Sequence, residues 1–221
     1  MKNMDLENFD WGVSSRFAVE VLKKEVFNSK VYEKYFSVED GDIVVDLGAT
    51  VGDFTFSILN KNPKHCYVVE PLGVFFDSLK KNLEGHQVSF SNTAISSEKY
   101  LDINWDNHLE TIKPITFKEF ITHNRLKKID FLKVDCEGGE YDVFKENNIP
   151  FLLSVPKIVT EFQLTTPLNK EKFRYFRDNT LKNFSKFEVN SYDGVDIKWD
   201  LWNEHFIQYY KEVLIYIDNR S

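Results

Sequence analysis

The apolar positions of the chain fall into two kinds of stretch. Short stretches at Ile43 to Leu47, His65 to Glu70, Val88 to Asn92 and Ile129 to Asp135 read as strands, the first a β-branched run and the last a central strand ending in an acid. Between the first three lie amphipathic segments, Phe54 to Asn60 and Val74 to Leu83, with apolar residues at helical spacing. Strand and helix alternate, so the pattern predicts a βαβαβ unit of a doubly wound sheet with right-handed crossovers. The strand ends at Asp46, Glu70 and Asn92 then open on one edge. Upstream, Phe17, Val21, Leu22 and Val26 set a helix from Ser15 to Phe27, with charges at Arg16, Glu20, Lys23, Lys24 and Glu25, and Tyr32 to Val38 continues it. Tyr100 to Trp105 alternates like an extra edge strand, and Thr116 with Glu119 forms a capping box opening a helix to about Asn124. The second half predicts a strand from Lys157 to Phe162, a helix over 170–183, a strand from Lys186 to Ser191, a loop from Tyr192 to Glu204 and a long final strand from His205 to Ile217. That loop is too short to hold a crossover helix, so the last strand is expected to run antiparallel and to start, with Trp199, Trp202 and His205, at the same sheet edge.

No repeat, low-complexity segment or linker interrupts this order. Residues 1–39 read as an N-terminal helical cap and 40–221 as one α/β domain. With 221 residues, 42% of them hydrophobic, the chain can bury one sizeable core. The net charge of −7 and the scattering of lysines in separate pairs disfavour a duplex nucleic acid partner. Cys66 and Cys136 lack metal-ligand spacing and read as reduced core thiols. No apolar run reaches the length of a membrane span, and Met1 to Asp5 is followed by no apolar signal core, so a cytoplasmic protein is expected.

The stretch Val44 to Phe54 carries the first chemistry: a strand breaks into Gly48 and Gly52, then resumes as a helix that Asp53 is placed to cap. The Gly-x-x-x-Gly spacing is not the Gly-x-Gly-x-x-Gly of dinucleotide sites. Together with the acidic Asp46 it suits a cationic or zwitterionic nucleoside, for which S-adenosylmethionine is the candidate. Glu70, one strand beyond, is placed to accept both hydroxyls of a ribose. Asp135, Glu137 and Glu140 cluster around Gly138 and Gly139 at the end of a central strand, which marks a second functional loop. Phe9, Trp11 and Phe17 serve either as packing anchors or as a lid, and the loop tryptophans either pack or stack on sugar faces.

The combined segments Val45 to Thr55, Val69-Glu70-Pro71, Asn92 to Ser96 and Ile129 to Glu140 resemble FkbM-type S-adenosylmethionine-dependent methyltransferases over roughly Asp40 to Glu161. The resemblance implies a Rossmann-like class I methyltransferase: a seven-stranded, mostly parallel sheet with an antiparallel last strand and helices on both faces. It also implies O-methylation of a hydroxyl, commonly on a sugar of a surface glycan or glycolipid, or on a polyketide; whether the chain is a whole protein or one domain of a larger glycan-synthesis polypeptide is left open by the residues. Asp46, Gly48, Gly52, Asp53, Phe54, Glu70, Asn92, Thr93 and Asp135 are the expected donor-binding residues. Asp135 and Glu137 are the candidates for removing the acceptor proton, with His205 in reserve. Asp135 and Glu161 also offer oxygen ligands to a divalent cation; no third acid immediately follows Glu161, which favours a direct base over the metal route. Methylation of RNA or a protein side chain, or a non-catalytic binding module of the same fold, are the alternatives.

Overall fold

The structure is a computed structural model describing residues 6–220. The polar start Met1–Asp5, at the head of the cap segment, and Ser221 lie outside the described residues. In chain order the strands are β1 (Ile43–Leu47), β2 (His65–Val69), β3 (Val88–Ser91), β4 (Leu101–Trp105), β5 (His108–Ile112), β6 (Phe131–Val134), β7 (Lys157–Gln163), β8 (Phe187–Ser191) and β9 (Glu212–Asp218). The helices are α1 (Arg16–Leu22), α2 (Asp53–Ile58), α3 (Gly73–Asn82), α4 (Phe117–His123), α5 (Glu140–Val143), α6 (Ile149–Leu152), α7 (Pro167–Tyr175) and α8 (Glu204–Tyr209).

Seven strands make one sheet in the order β3-β2-β1-β6-β7-β9-β8. The pairs from β3 through β7 are parallel, while β9 runs antiparallel to both β7 and β8. Adjacent residues of the central strands go to opposite faces, as a two-residue period requires. Val45, Leu132, Ile158 and Ile215 pack in one core with Phe120, Val143, Leu152 and Phe173 of α4 to α7. Val44, Phe131, Val159 and Leu214 pack in another with Phe54 and Ile58 of α2 and with Val26, Tyr32 and Phe36. Helical segments therefore cover both faces, and the C-terminal ends of β1, β2, β6 and β7 share an edge with the start of β9.

Three expectations change. The segment from Tyr100 does not extend the main sheet; β4 pairs with β5 alone, in a separate hairpin. Asp106 and Asn107, both with positive φ, form the two-residue turn whose twist suits a hairpin. The helix opening at Ser15, whose hydroxyl accepts from the Ala18 N–H, gives way to a π-helical turn over Lys23–Ser29. The wider turn carries Glu25 inward to a buried position instead of leaving it among the surface charges. The long final strand is two elements. Asn203 caps α8 by accepting from the His205 N–H, and the buried Phe206 and Ile207, with the partly buried Tyr210, give that segment helical spacing. The strand begins only at Glu212. His205 is thus an exposed helix residue, not a strand start. Thr116 and Glu119 form the expected capping box of α4.

Candidate functional site

A cleft of about 1000 Å³ runs along the C-terminal edge of the sheet and reaches the ends of β2, β1, β6 and β7 and the start of β9. Among the described residues ten carboxylates line it, those of Glu25, Glu70, Glu98, Asp102, Asp106, Asp135, Glu137, Asp142, Glu161 and Glu212, against one lysine, Lys172. Its floor is the contact between the loops after β1 and β6. Gly48 has φ +79°, and a Cβ there would stand 1.6 Å from the Asp135 carbonyl oxygen, so only glycine lets the two loops meet.

Of the residues expected to hold the donor, Gly48, Glu70, Thr93 and Asp135 line the cleft. Asp46, Gly52, Asp53, Phe54 and Asn92 do not, and each has another task. Gly52, φ +84°, makes room for α3, where a Cβ would come within 2.8 Å of the Leu79 side chain. Asp53 does not cap α2, since Gly52 holds that position without a side-chain bond; burial pushes the Asp53 carboxyl up to about 7. Phe54 stacks on Phe131 with ring centroids 5.7 Å apart. Asn92 donates to the carbonyls of Glu70 and Pro71 at 2.9 and 3.0 Å, shaping the turn after β2. Asp46, fully buried, accepts from the Thr55 hydroxyl at 2.7 Å and faces the Lys133 ammonium at 3.1 Å.

Glu70 is fixed on both sides: one carboxylate oxygen accepts from the Thr50 N–H at 2.9 Å and the other from the Leu72 N–H at 2.8 Å. Burial outweighs these bonds and raises its carboxyl to about 8. Across the cleft, Tyr32 donates to Asp135 at 2.6 Å. Lys133 lies behind them, donating to the Gly48 carbonyl at 2.8 Å, 3.8 Å from Asp135 and 4.9 Å from the Tyr32 ring centre. Burial opposes its charge, but Asp46, then Asp135 and Asp53, more than restore it, so it stays a cation. These contacts join the ends of β1 and β6 into one unit.

The acid-glycine loop divides its carboxylates. Asp135 and Glu137 reach the cleft, whereas Glu140 is fully buried and binds the loop to β7 by accepting from the N–H groups of Gly138 and Gln163. Burial, then repulsion from Asp135 and Glu140, raises Glu137 to about 8. Glu161 is 8% exposed; its Oε1 accepts from the Gln163 side chain at 3.1 Å, and burial followed by Asp135, Glu25 and Glu212 drives its carboxyl well above the usual range. Among the described residues no group of three or more His, Cys, Asp or Glu is arranged to hold a metal ion.

Tyr32, Lys133, Glu25, Gln163, Tyr192 and Glu212 are the residues sequence reasoning missed. A lysine inside the buried run Phe131 to Val134 was a usable signal, since a buried ammonium needs carboxylate partners. Glu25 left none, because a π turn has no periodicity signature here. Glu212 takes the strand-start place assigned to His205, which lies outside the cleft lining, as do Trp199 and Trp202. Phe9 and Trp11 pack against each other, with centroids 4.6 Å apart, while Phe17 is 78% exposed at the cleft rim. The hairpin lines the opposite wall through Leu101, Ile103 and Trp105, and its tip at Asp106 accepts from the Ser15 N–H. Both cysteines are free; Cys136 borders the cleft and Cys66 is in the core.

The family model described as Methyltransferase FkbM domain matches residues 46–184. A protein named Methyltransferase 1 from Beauveria bassiana (strain ARSEF 2860) is 23% identical over 171 residues, 60% of this chain and 68% of that protein. The structure is similar to that of methyltransferase FkbM from Methylobacillus flagellatus KT, with TM-score 0.56 and 13% identity, over 88% of this chain but only 47% of that one. This chain therefore spans just under half the length of the Methylobacillus protein. Fibrillarin from Aeropyrum pernix, solved with natively bound S-adenosyl-L-methionine, has TM-score 0.51 and 14% identity over 85% of this chain and 71% of that one. An rRNA methylase from Streptococcus thermophilus has TM-score 0.51 and 8% identity over 93% and 95%. The sheet order and these likenesses make the fold the Rossmann-like fold of methyltransferases. No described helix is long and apolar enough to cross a membrane.

Proposed function

The chain belongs to the FkbM methyltransferase family, and from that premise we propose that it transfers the methyl group of S-adenosylmethionine to a hydroxyl of a carbohydrate. The observation that carries the reading is Glu70: a buried carboxylate at the end of the second strand, its two oxygens oriented by backbone N–H groups, open to a large cleft. A carboxylate so placed can receive two vicinal hydroxyls. The close approach of the loops at Gly48 leaves backbone bare beside it, and the acidic lining suits a cationic ligand. Gly48, Glu70 and Thr93 would hold the donor, with Asp135 beside it; Asp46, Gly52, Asp53, Phe54 and Asn92 support that surface from beneath.

The bound donor supplies a sulfonium methyl, which an oxygen nucleophile attacks in line as the carbon–sulfur bond breaks. The protein's part is to place the acceptor hydroxyl on that axis and to take its proton. Positioning alone supplies a large share of such an acceleration. Asp135, oriented by Tyr32 and by the nearby Lys133, and Glu137, raised toward neutrality by its burial, are the proton acceptors. This is a metal-free route, so turnover is expected to be indifferent to chelator; loss on chelation with rescue by magnesium or manganese would replace it by a cation held at Asp135 and Glu161.

Calorimetry with S-adenosylmethionine and its demethylated product tests the donor, with Glu70→Ala expected to weaken both. Tight binding of a nicotinamide dinucleotide with no response to the methyl donor would refute it. Mass spectrometry of glycosides incubated with protein and donor tests the acceptor, the expected product being heavier by one methylene. Methylation of an RNA or peptide but of no glycoside would move the chain to another substrate class.

A further inference from the structure

The residues matched by the family model begin at 46, yet the hydroxyl that reaches Asp135 comes from ahead of them, on Tyr32. Lys30, with φ +49°, ends the π turn and starts a 3₁₀ turn over Val31–Glu33 that carries Tyr32 to the sheet edge. That turn is fastened on three sides. The Val31 carbonyl accepts from the Tyr216 hydroxyl of β9 at 2.7 Å, Glu33 pairs with Lys61 at 2.7 Å, and the buried Tyr32 ring meets Phe54 of α2 edge-on, centroids 5.5 Å apart. The fold therefore sets the place of the Tyr32 hydroxyl before any ligand arrives.

We infer that Tyr32 is a positioning residue for proton removal: it ties down one oxygen of Asp135 so that the other, Oδ1, meets the acceptor hydroxyl. The inference rests on the methyl-transfer reading and separates the roles of its two acids. Both polar contacts of the Asp135 carboxylate fall on Oδ2, the Tyr32 hydroxyl at 2.6 Å and the Lys133 ammonium at 3.8 Å, and no described donor reaches Oδ1. Held at Oδ2 from two directions, a carboxylate that lines the cleft is left with Oδ1 as its working atom. Tyr32 cannot take the proton itself. Burial, then the charge of Asp135, holds its phenol well above the ordinary value, so it stays a donor. As the acceptor oxygen bonds to the methyl carbon, the carbon–sulfur electron pair leaves with sulfur and the hydroxyl proton passes to Oδ1. The products are a methyl ether, a neutral thioether and a carboxylic acid. The Tyr32 hydroxyl donates to Asp135 and not to Glu137, so its effect runs through Asp135 alone.

The test is a double-mutant cycle read as single-turnover rates, with methyl glucoside as acceptor or with whichever glycoside, RNA or peptide the acceptor screen shows to be methylated. Tyr32→Phe removes the hydroxyl and keeps the ring against Phe54. It is expected to lower the rate by roughly tenfold to a hundredfold, the range of a hydrogen bond to a charged group, with half-saturating acceptor and S-adenosylhomocysteine affinity within about twofold. In an Asp135→Asn background the same change should cost less than about twofold, because the group it serves is gone, while in a Glu137→Gln background the full loss should remain. An equal loss in the Asp135→Asn background would overturn the proposal, since Tyr32 would then act on the acceptor or on the fold. So would an unaltered rate in Tyr32→Phe, or a fall in S-adenosylhomocysteine affinity that matches the fall in rate. Absence of transfer to every acceptor, together with no heat from S-adenosylhomocysteine, would refute the methyl-transfer reading and this role with it, a result that failure of the cycle does not imitate.

Discussion

β7 and β9 lie side by side, yet their two ends treat charge in opposite ways. At one end Lys157 pairs in register with Asp218. There the nearly buried Lys157 ammonium meets Asp42 at 2.7 Å and donates to the Ser37 carbonyl, while Asp218 is held by Arg220 and Lys186. At the other end Gln163 pairs with Glu212, and Glu161 lies two residues back, with no described cation bridging either acid. The same two strands thus close every charge at the end away from the cleft and leave acids open where they face it. Net acidity alone would not produce such a division. Along these two strands, acids without a cation partner are confined to the end that lines the cleft.

The largest break in this contrast is expected in turnover. Asp135→Asn or Glu137→Gln should lower the methyl-transfer rate by roughly two to four powers of ten if either is the proton acceptor, while donor binding survives. Rate and donor affinity measured on the same preparations separate the two effects, and near-normal rates in both variants would remove these residues from the mechanism. At the closed end the effect should be on stability instead. Lys157→Met leaves Asp42 without its buried partner and should cost ~3–5 kcal/mol, a fall of roughly 6–20 °C in melting temperature for a chain of this size.

A smaller effect, of opposite sign at the two ends, should appear with pH. Glu70 and Glu137 are raised to about 8 and Glu25 to about 7, from an ordinary value near 4.5. Between those limits the folded chain binds more protons than the unfolded one, so the stability these groups contribute in mild acid is lost as pH rises through 7 and 8. Asp218, held well below its ordinary value chiefly by Arg220, contributes stability that is lost only in acid. Thermal melts of the ligand-free protein should therefore be highest in mild acid and decline by several degrees toward pH 9. Glu161→Gln should flatten the alkaline decline, because the neutral amide removes one acid from the cluster. The smallest effect is expected at His205, which is exposed and outside the cleft: His205→Ala should leave turnover within about twofold and the melting temperature within about 1 °C.

Most of the sheet was legible because its central strands β1 and β6 are buried on both faces and read as short apolar runs interrupted by a single polar residue each; β1 falls on its expected residues and β2, β3 and β6 differ only at their ends. The last strand was misread because Phe206 and Ile207 continue the apolar character of 213–217, so an amphipathic helix and a strand merge into one stretch. The site was legible at strand ends, where Glu70 and Asp135 follow from topology. It was not legible where tertiary contact decides. Glycines and acids next to such a loop look alike in sequence, and only packing separates Gly48, which lines the cleft, from Gly52, which faces α3, or Glu137 from the clamp at Glu140. Tyr32 and Glu25 come from a segment whose register against the sheet no local pattern encodes.

The π turn over Lys23–Ser29 has a consequence for how this chain can diversify. Each residue of an α-helix advances about 100° around its axis, so losing one codon there would return the turn to ordinary spacing and swing Glu25 away from the cleft. The sheet, the Glu70 end of the cleft and the acid-glycine loop would be untouched by such a deletion. A single-codon length change in this peripheral helix can therefore reshape one wall of the cleft without altering the sheet beneath it.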